Sequence, residues 1–506
     1  MNVSEPKGRT NGNGPAPLDA AVLDAYGKYT LPQILGEQAK RLGAGNVAIR
    51  EKAYGIWQTV NWEEYFSYVR RTALGLLGLG VRRRDNVAIV MNNHPEWLYS
   101  ELGAQAVGCI TVNLFTSSIA DELAEALKRF QPAVVVVQDQ EQVDKLLETR
   151  SRLGFVKTVV YVDPTGMRNY RDNPWLVSFR ELLERGDELE REKPQLFPSE
   201  LWRGRPEDVA VMIQTSGTTG LPKLAMLSHR NYTSMARKWL EATPIGIGSN
   251  WLSITPPAWI VDQIWGVGIT LTGGLTMNFP ETAETIEMDF REIGPDVIVS
   301  SSRFWEDLAS KIRVKMADAG FVKRKLFEAA ERIGQRVVDA EAAKETPAAA
   351  LRALRRVGES LVFRPLMDRV GCLGLKTAYT GGHPISPEVI RFFRACGLNL
   401  KQCYGLTEAG GIFQVQPDGE AKPETVGKAL PDTEVRIAED QEVLVKSLSN
   451  FTGYYKDYKA TEEAFRDGWL RTGDAGYLDA DGHLVIIGRK EEIIRNKTGA
   501  AFSPDF

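Results

Sequence analysis

Thr215-Ser216-Gly217-Thr218-Thr219-Gly220-Leu221-Pro222-Lys223 follows the apolar run Val211-Met212-Ile213-Gln214, so a strand empties into a turn rich in hydroxyls and glycine and closed by one lysine. Short hydroxyls, exposed backbone N–H groups and a lysine can converge on closely spaced oxygens, which is what a triphosphate requires. The run is not a Walker loop, because Leu221-Pro222 separates Gly220 from Lys223 and no Ser or Thr follows the lysine. Turns at strand ends are where open α/β sheets hold their ligands.

On the N-terminal side of this turn, strand-like runs alternate with helical patterns: VAIV at 87–90, ITVNLF at 110–115, AVVVVQD at 133–139 and VVYVDP at 159–164. Such alternation argues for layered α/β sheets. It returns beyond the turn with VIVSSS at 297–302 and LKTAYTGG at 375–382. Residues 311–370 differ, with Arg, Lys and Glu dense among apolar residues at helical spacing, and predict a helical insertion with a solvated charged face. From 424 to 488 the short runs TEVRIA, EVLVKS and HLVIIG predict a small, mostly antiparallel β subdomain. The expected organisation is a disordered lead over 1–27, α/β subdomains over 28–205 and 206–423, the β subdomain, and a terminal segment over 489–506.

A chain of 506 residues is long enough for several such units. Its net charge of -4 leaves no basic footprint for nucleic acid. The four cysteines form no CxxC pair, so neither a disulfide framework nor a zinc site is expected, and a reducing, cytoplasmic setting fits. No apolar run reaches the ~18 residues of a transmembrane segment.

Two further constellations carry chemistry. Glu408 follows Gly405-Leu406-Thr407, which sets a carboxylate and a hydroxyl at one sheet edge, a pair able to hold Mg2+ against phosphate oxygens. Asp481-Gly482 reads as a two-residue hairpin turn, and in that register Asp474 and Arg489 face each other. An ordinary cross-strand ion pair has the same spacing.

TSGTTGLPK followed by Ser228-His229 resembles the signature of the adenylate-forming superfamily of acyl-CoA synthetases, adenylation domains and luciferases. YGLTE at 404–408, TGGHPISPE at 380–388, GWLRTGD at 468–474 and GRKEEII at 488–494 keep the superfamily's order and spacing. The resemblance implies the large α/β N-terminal domain of that fold, with two layered sheets and a small β subdomain. It also implies an acyl-CoA ligase that uses ATP, Mg2+ and coenzyme A.

Residue by residue, the resemblance implies that Thr215, Ser216, Gly217, Thr218, Thr219 and Gly220 bind phosphates beside a catalytic Lys223. Thr407 and Glu408 would touch the α-phosphate and the metal, Tyr404 would stack on adenine, and Asp474 and Arg489 would bind the ribose hydroxyls. Gly382, His383 and Pro384 match the turn against the adenine face, where missing side chains let the base approach. His383 is unusual there and is given no catalytic role. Trp259 and Gln263 lie where the family lines its acyl tunnel, although two tryptophans among branched aliphatics suit a plain core equally well. Glu491 occupies the hinge position.

The helical insertion is typical of the long-chain branch, which favours a bulky hydrophobic acid. Two departures stand out. Leu224 replaces the glycine that usually follows the loop lysine, which is expected to crowd the phosphates. The closing residues 498–506 resemble the opening of the small C-terminal domain, so the family's adenylation lysine is expected to lie outside this chain. Three readings follow: an ordinary acyl-CoA ligase, a ligase impaired in adenylation that thioesterifies a supplied acyl-adenylate, or a non-catalytic nucleotide- or acyl-adenylate-binding protein.

Overall fold

Unbroken apolar runs become buried parallel strands. Val134–Val137, four valines with no exposed position, lies between the parallel strands Asn86–Val90 and Thr158–Tyr161. A strand covered on both faces has no polar side to alternate with, so its sequence is continuously hydrophobic. The computed structural model describes residues 19–170, 172–215, 222–420 and 422–492, with the backbone of 494–495 and 501–502.

Two large sheets organise the α/β body. The eight-stranded sheet runs in space Gly453–Tyr454, Lys223–Ser228, Val209–Thr215, Ile110–Leu114, Asn86–Val90, Val134–Val137, Thr158–Tyr161 and Leu176–Ser178. The nine-stranded sheet has Val297–Ser300, Thr377–Thr380 and Leu400–Leu406 in parallel near its middle, and Gly411–Val415 folds back antiparallel on the last of these.

Sequence order and sheet membership part company. Val47–Ala53 and Ile56–Asn61 join the nine-stranded sheet, while Val209–Thr215 and Lys223–Ser228 join the eight-stranded one. The stretches 28–205 and 206–423 therefore exchange strands. Local patterning reports that a strand is buried, not which neighbour it pairs with. One continuous core joins the sheets, centred on Trp265, which stacks on Trp251 at 5.1 Å and meets Trp239 edge-on at 4.8 Å.

The lead expected to lack structure over 1–27 is corrected at its C-terminal end. Ala20–Tyr26 is a helix whose N-cap, Asp19, accepts from the N–H of Ala21, and Leu23 and Tyr26 enter the core. Two apolar residues three apart are enough stripe for a short docked helix, and the flanking Gly- and Pro-rich composition hides that signal.

The helical insertion begins with Ser302–Ala317 and continues through Phe321–Ala342 and Ala349–Gly358 to Arg364–Arg369. Phe321–Ala342 buries Phe327, Ala330, Gly334, Val337 and Val338. A Cβ on Gly334 would stand 2.6 Å from the carbonyl oxygen of Ala395, so glycine lets this helix lie directly against Pro387–Ala395.

In the β subdomain the hairpin closes differently from expectation. Leu478 pairs with Leu484 and the N–H of Asp479 donates to the carbonyl of His483, so the connection is longer than two residues. That alone would shift the register by one. A bulge between the pairs Ala475–Gly488 and Gly476–Ile486 takes up the extra residue and restores Asp474 opposite Arg489.

Candidate active site

The candidate side chains gather where strands of both sheets end. Thr215 and Lys223 face each other across the antiparallel pair that flanks residues 216–222. Ser216, Gly217, Thr218, Thr219 and Gly220 lie outside the described residues. Lys223 Nζ sits 5.0 Å from the ring centre of Tyr454, a cation–π contact. The Tyr454 hydroxyl in turn donates to Glu408 Oε1 at 2.8 Å. Burial and the Glu408 carboxylate beside it push the Tyr454 phenol up. The lysine of one sheet and the glutamate of the other are thus brought together by a tyrosine that the sequence reading did not single out. It lies on Gly453–Tyr454, whose two residues were too short to read as a strand.

Glu408 and Thr407 occupy the 3-10 turn Thr407–Ala409 after Leu400–Leu406. Glycine is required at the turn's exit. Gly410 has φ +75, and a Cβ there would stand 2.3 Å from the carbonyl oxygen of Ser449. The chain then returns as Gly411–Val415, and the N–H of Phe451 donates to the carbonyl of Glu408 at 2.7 Å.

Asp474 forms a second centre. Its carboxylate accepts from the Tyr404 hydroxyl at 2.5 Å and pairs with Arg489 Nη1 at 3.1 Å. Burial raises the Asp474 pKa, against the opposing pull of Tyr404 and Arg489. The Arg489 side chain remains 55% exposed, so the pair opens to solvent on one side. Tyr404 packs edge-on against Phe413 at 5.4 Å.

Gly381 and Gly382 follow the parallel strand Thr377–Thr380. A Cβ on Gly381 would meet Cys403 Sγ at 2.8 Å, while at Gly382, φ +86, it would meet nothing. His383 and Pro384 are exposed beside that open position.

Sequence reading also missed Glu442. This buried carboxylate accepts from Arg471 Nη2 at 2.9 Å, Lys490 Nζ at 2.9 Å and the Gly473 N–H at 3.2 Å. Burial opposes its charge, yet Arg471 and Lys490 hold its pKa below the ordinary range. It therefore fixes the residue before Asp474 and the residue before Glu491, which lies exposed in the 3-10 turn Lys490–Glu492.

The Trp259 segment divides into an open and a closed part. Trp259 is 46% exposed. Gln263 is wholly buried, with its amide accepting from the Tyr232 hydroxyl at 2.5 Å and donating to Glu101 Oε2 at 3.1 Å and the Pro257 carbonyl at 2.9 Å. It braces the wall behind Trp259 and begins the π-helical stretch Gln263–Ile269.

Leu224 corrects the expectation of crowding at the phosphates. Side chains alternate across a strand, and Leu224 turns to the face opposite Lys223, buried with Met212 and Val112 in an apolar cluster. Ser228-His229 is structural as well. Ser228 caps the helix His229–Ala242, and the buried His229 Nδ1 accepts from the Leu31 N–H at 3.2 Å. Burial pushes that imidazole down to about 3.

The family profile described as AMP-binding enzyme matches residues 35–455. The long-chain-fatty-acid–CoA ligase FadD15 of Mycobacterium bovis is 30% identical over 454 residues, covering 89% of this chain and 72% of its own length. The long-chain-fatty-acid–CoA ligase heimdall of Drosophila melanogaster is 28% identical over 523 residues, covering 100% of this chain and 74% of its own length. Among solved structures, the anthranilate CoA ligase AuaEII in complex with anthranoyl-AMP superposes with a TM-score of 0.70 at 18% identity, over 94% of this chain and 80% of that one. A Mycobacterium tuberculosis fatty acyl CoA synthetase gives 0.68 at 20% identity, over 94% and 81%.

Proposed function

The chain belongs to the AMP-binding enzyme family, close to the long-chain acyl-CoA synthetases, and from that premise we propose that it activates a long-chain or otherwise bulky hydrophobic carboxylic acid through an acyl-adenylate for transfer to coenzyme A. A free carboxylate acylates poorly because its leaving group would be oxide or hydroxide. Attack of its oxygen on the α-phosphorus of ATP expels pyrophosphate, and AMP is then a good leaving group when the coenzyme A thiol attacks the carbonyl carbon.

One observation supports this reading above the others: Lys223, Tyr454 and Glu408 converge at one strand end, while Tyr404, on the strand leading to Glu408, meets Asp474 and Arg489 of the β-subdomain hairpin. Lys223, with the turn it closes, meets the phosphates. Asp474 accepts from the ribose hydroxyls, Tyr404 lies along the base, and the open space at Gly382 admits the adenine edge. Glu408 suits a hard divalent cation, since it is half-buried and Tyr454 is its one side-chain hydrogen-bond partner among the described residues. Magnesium bound there would spread the charge of the departing pyrophosphate. Pre-placed charges, rather than a general base, lower the barrier.

Leu224 gives no support to an adenylation defect, because its side chain is spent on the core. The preference for a bulky acid rests on the relatives and on the apolar wall around Trp259, braced by Gln263. Thermal shift with non-hydrolysable acyl-sulfamoyl adenosines tests the proposal. Palmitoyl-sulfamoyl adenosine is expected to stabilise the chain more than the acetyl or anthraniloyl compound. Greatest stabilisation by the acetyl compound would refute the substrate class, and no stabilisation by any of them would refute adenylate binding.

A further inference from the structure

Residues 311–370 carry fourteen Lys and Arg against eight Asp and Glu, a net charge of +6 within a chain of net charge -4. Seven of the seventeen large apolar side chains exposed among the described residues fall in this same stretch, so basic charge and exposed apolar surface are concentrated together. Val314 lies on the preceding helix; on the helix Phe321–Ala342 they are Phe321, Val322 and Leu326, and along the adjoining helical run they are Leu354, Val357 and Leu361. Val322 and Leu326 are four apart, and Leu354 and Val357 three apart, so each pair shares a helix face.

The two helices pack side by side. A Cβ on Gly358 would touch Ala330 Cβ at 3.2 Å, and Phe327 meets Phe363 edge-on at 6.2 Å. That contact sets Leu361 alongside the turn bearing Leu326. The inward faces are already satisfied by Phe327, Ala330, Val337 and Phe363, so the exposed apolar residues are surplus to folding. Among them stand Lys323, Arg352, Arg356 and Arg364, which are exposed and make no ion pair among the described residues. Unpaired cations on flexible stems beside exposed apolar side chains match an anionic lipid surface, with the apolar groups entering the acyl boundary and the cations at the head groups.

We infer that this helical insertion docks the protein on an anionic lipid bilayer. The inference needs only this surface and is independent of which acid the active site accepts.

Co-sedimentation of the 506-residue chain with phosphatidylcholine vesicles containing phosphatidylglycerol tests it, with phosphatidylcholine alone as control. The chain is expected to pellet with the anionic vesicles at low salt and to stay in solution with the control. Two variants are compared: Leu354→Ser with Val357→Ser and Leu361→Ser, and Lys323→Gln with Arg352→Gln, Arg356→Gln and Arg364→Gln. Each should weaken binding by about tenfold or more, and both should keep the wild-type circular dichroism spectrum and melting profile, since the changed residues are exposed. Equal pelleting with both lipids, none with either, or folded variants that bind like wild type would overturn the inference. A dimer in sedimentation velocity that the apolar variant dissociates would also overturn it, by assigning the face to a second copy.

Discussion

Asp474 and Asp262 are both buried carboxylates, 8% and 0% exposed, in opposite surroundings. Asp474 has a guanidinium and a phenol as partners and a side open to solvent. Among the described residues Asp262 has only neutral donors: Asn93 Nδ2 at 2.6 Å, Ser253 Oγ at 2.7 Å and Trp251 Nε1 at 3.3 Å. Burial lifts the Asp262 carboxyl to about 7, whereas the Asp474 carboxyl, also raised by burial, is drawn back toward ionisation by Arg489. A buried acid with a cation and an opening can accept hydroxyls from a ligand. A buried acid with neither holds a wall together.

The largest effect that would sharpen this division is at Leu224. On the closed-side assignment, Leu224→Ala should cost about 2–5 kcal/mol in urea unfolding and leave acyl-adenylate affinity unchanged. Tighter adenylate binding by that variant would return Leu224 to the phosphate site.

Asp262→Asn probes the wall through pH. The folded pKa lies near 7, above an unfolded value of about 3.9, so the stabilisation from Asp262 is complete below about pH 4 and is lost as pH rises through 7. His229 runs the other way, with a folded value of about 3 against about 6.5 unfolded, so its stabilisation is lost as pH falls through 3. The opposing slopes are separated by subtraction. Stability of Asp262→Asn minus wild type should rise by up to about 4 kcal/mol between pH 4 and 8. A flat difference would place Asp262 in an ordinary ionised state.

Asp474→Asn should weaken acyl-sulfamoyl adenosine binding by about 1.5–3 kcal/mol in calorimetry, with little change in melting temperature. A loss of stability without a loss of affinity would make the Asp474–Arg489 pair merely structural. The smallest effect is expected at Glu442, which acts through Gly473. Glu442→Gln should cost about 1 kcal/mol of that binding, and none would remove it from the site's support.

Much of this architecture is legible in local sequence. Four consecutive β-branched valines favour a covered strand, and the runs at 297–302 and 375–382 announce the strands Val297–Ser300 and Thr377–Thr380. What stays hidden depends on distant pairing. Nothing near Val47 indicates a place beside Thr276–Phe279, and nothing near Tyr454 tells of Lys223 on one side and Glu408 on the other. The hairpin shows the same limit. Asp474 faces Arg489 because a longer connection and a bulge offset each other, and neither can be read from the Asp481-Gly482 dipeptide. The position of Leu224 follows from strand alternation, yet its meaning required knowing that the far face is packed.

A crystal structure of this chain with palmitoyl-sulfamoyl adenosine tests the central claim most directly. The ribose hydroxyls should lie within hydrogen-bond distance of Asp474, with the base between Tyr404 and Gly382 and the sulfamoyl group toward Lys223 and Thr407. A nucleoside bound elsewhere, leaving Asp474 with Tyr404 and Arg489 as its only partners, would contradict it.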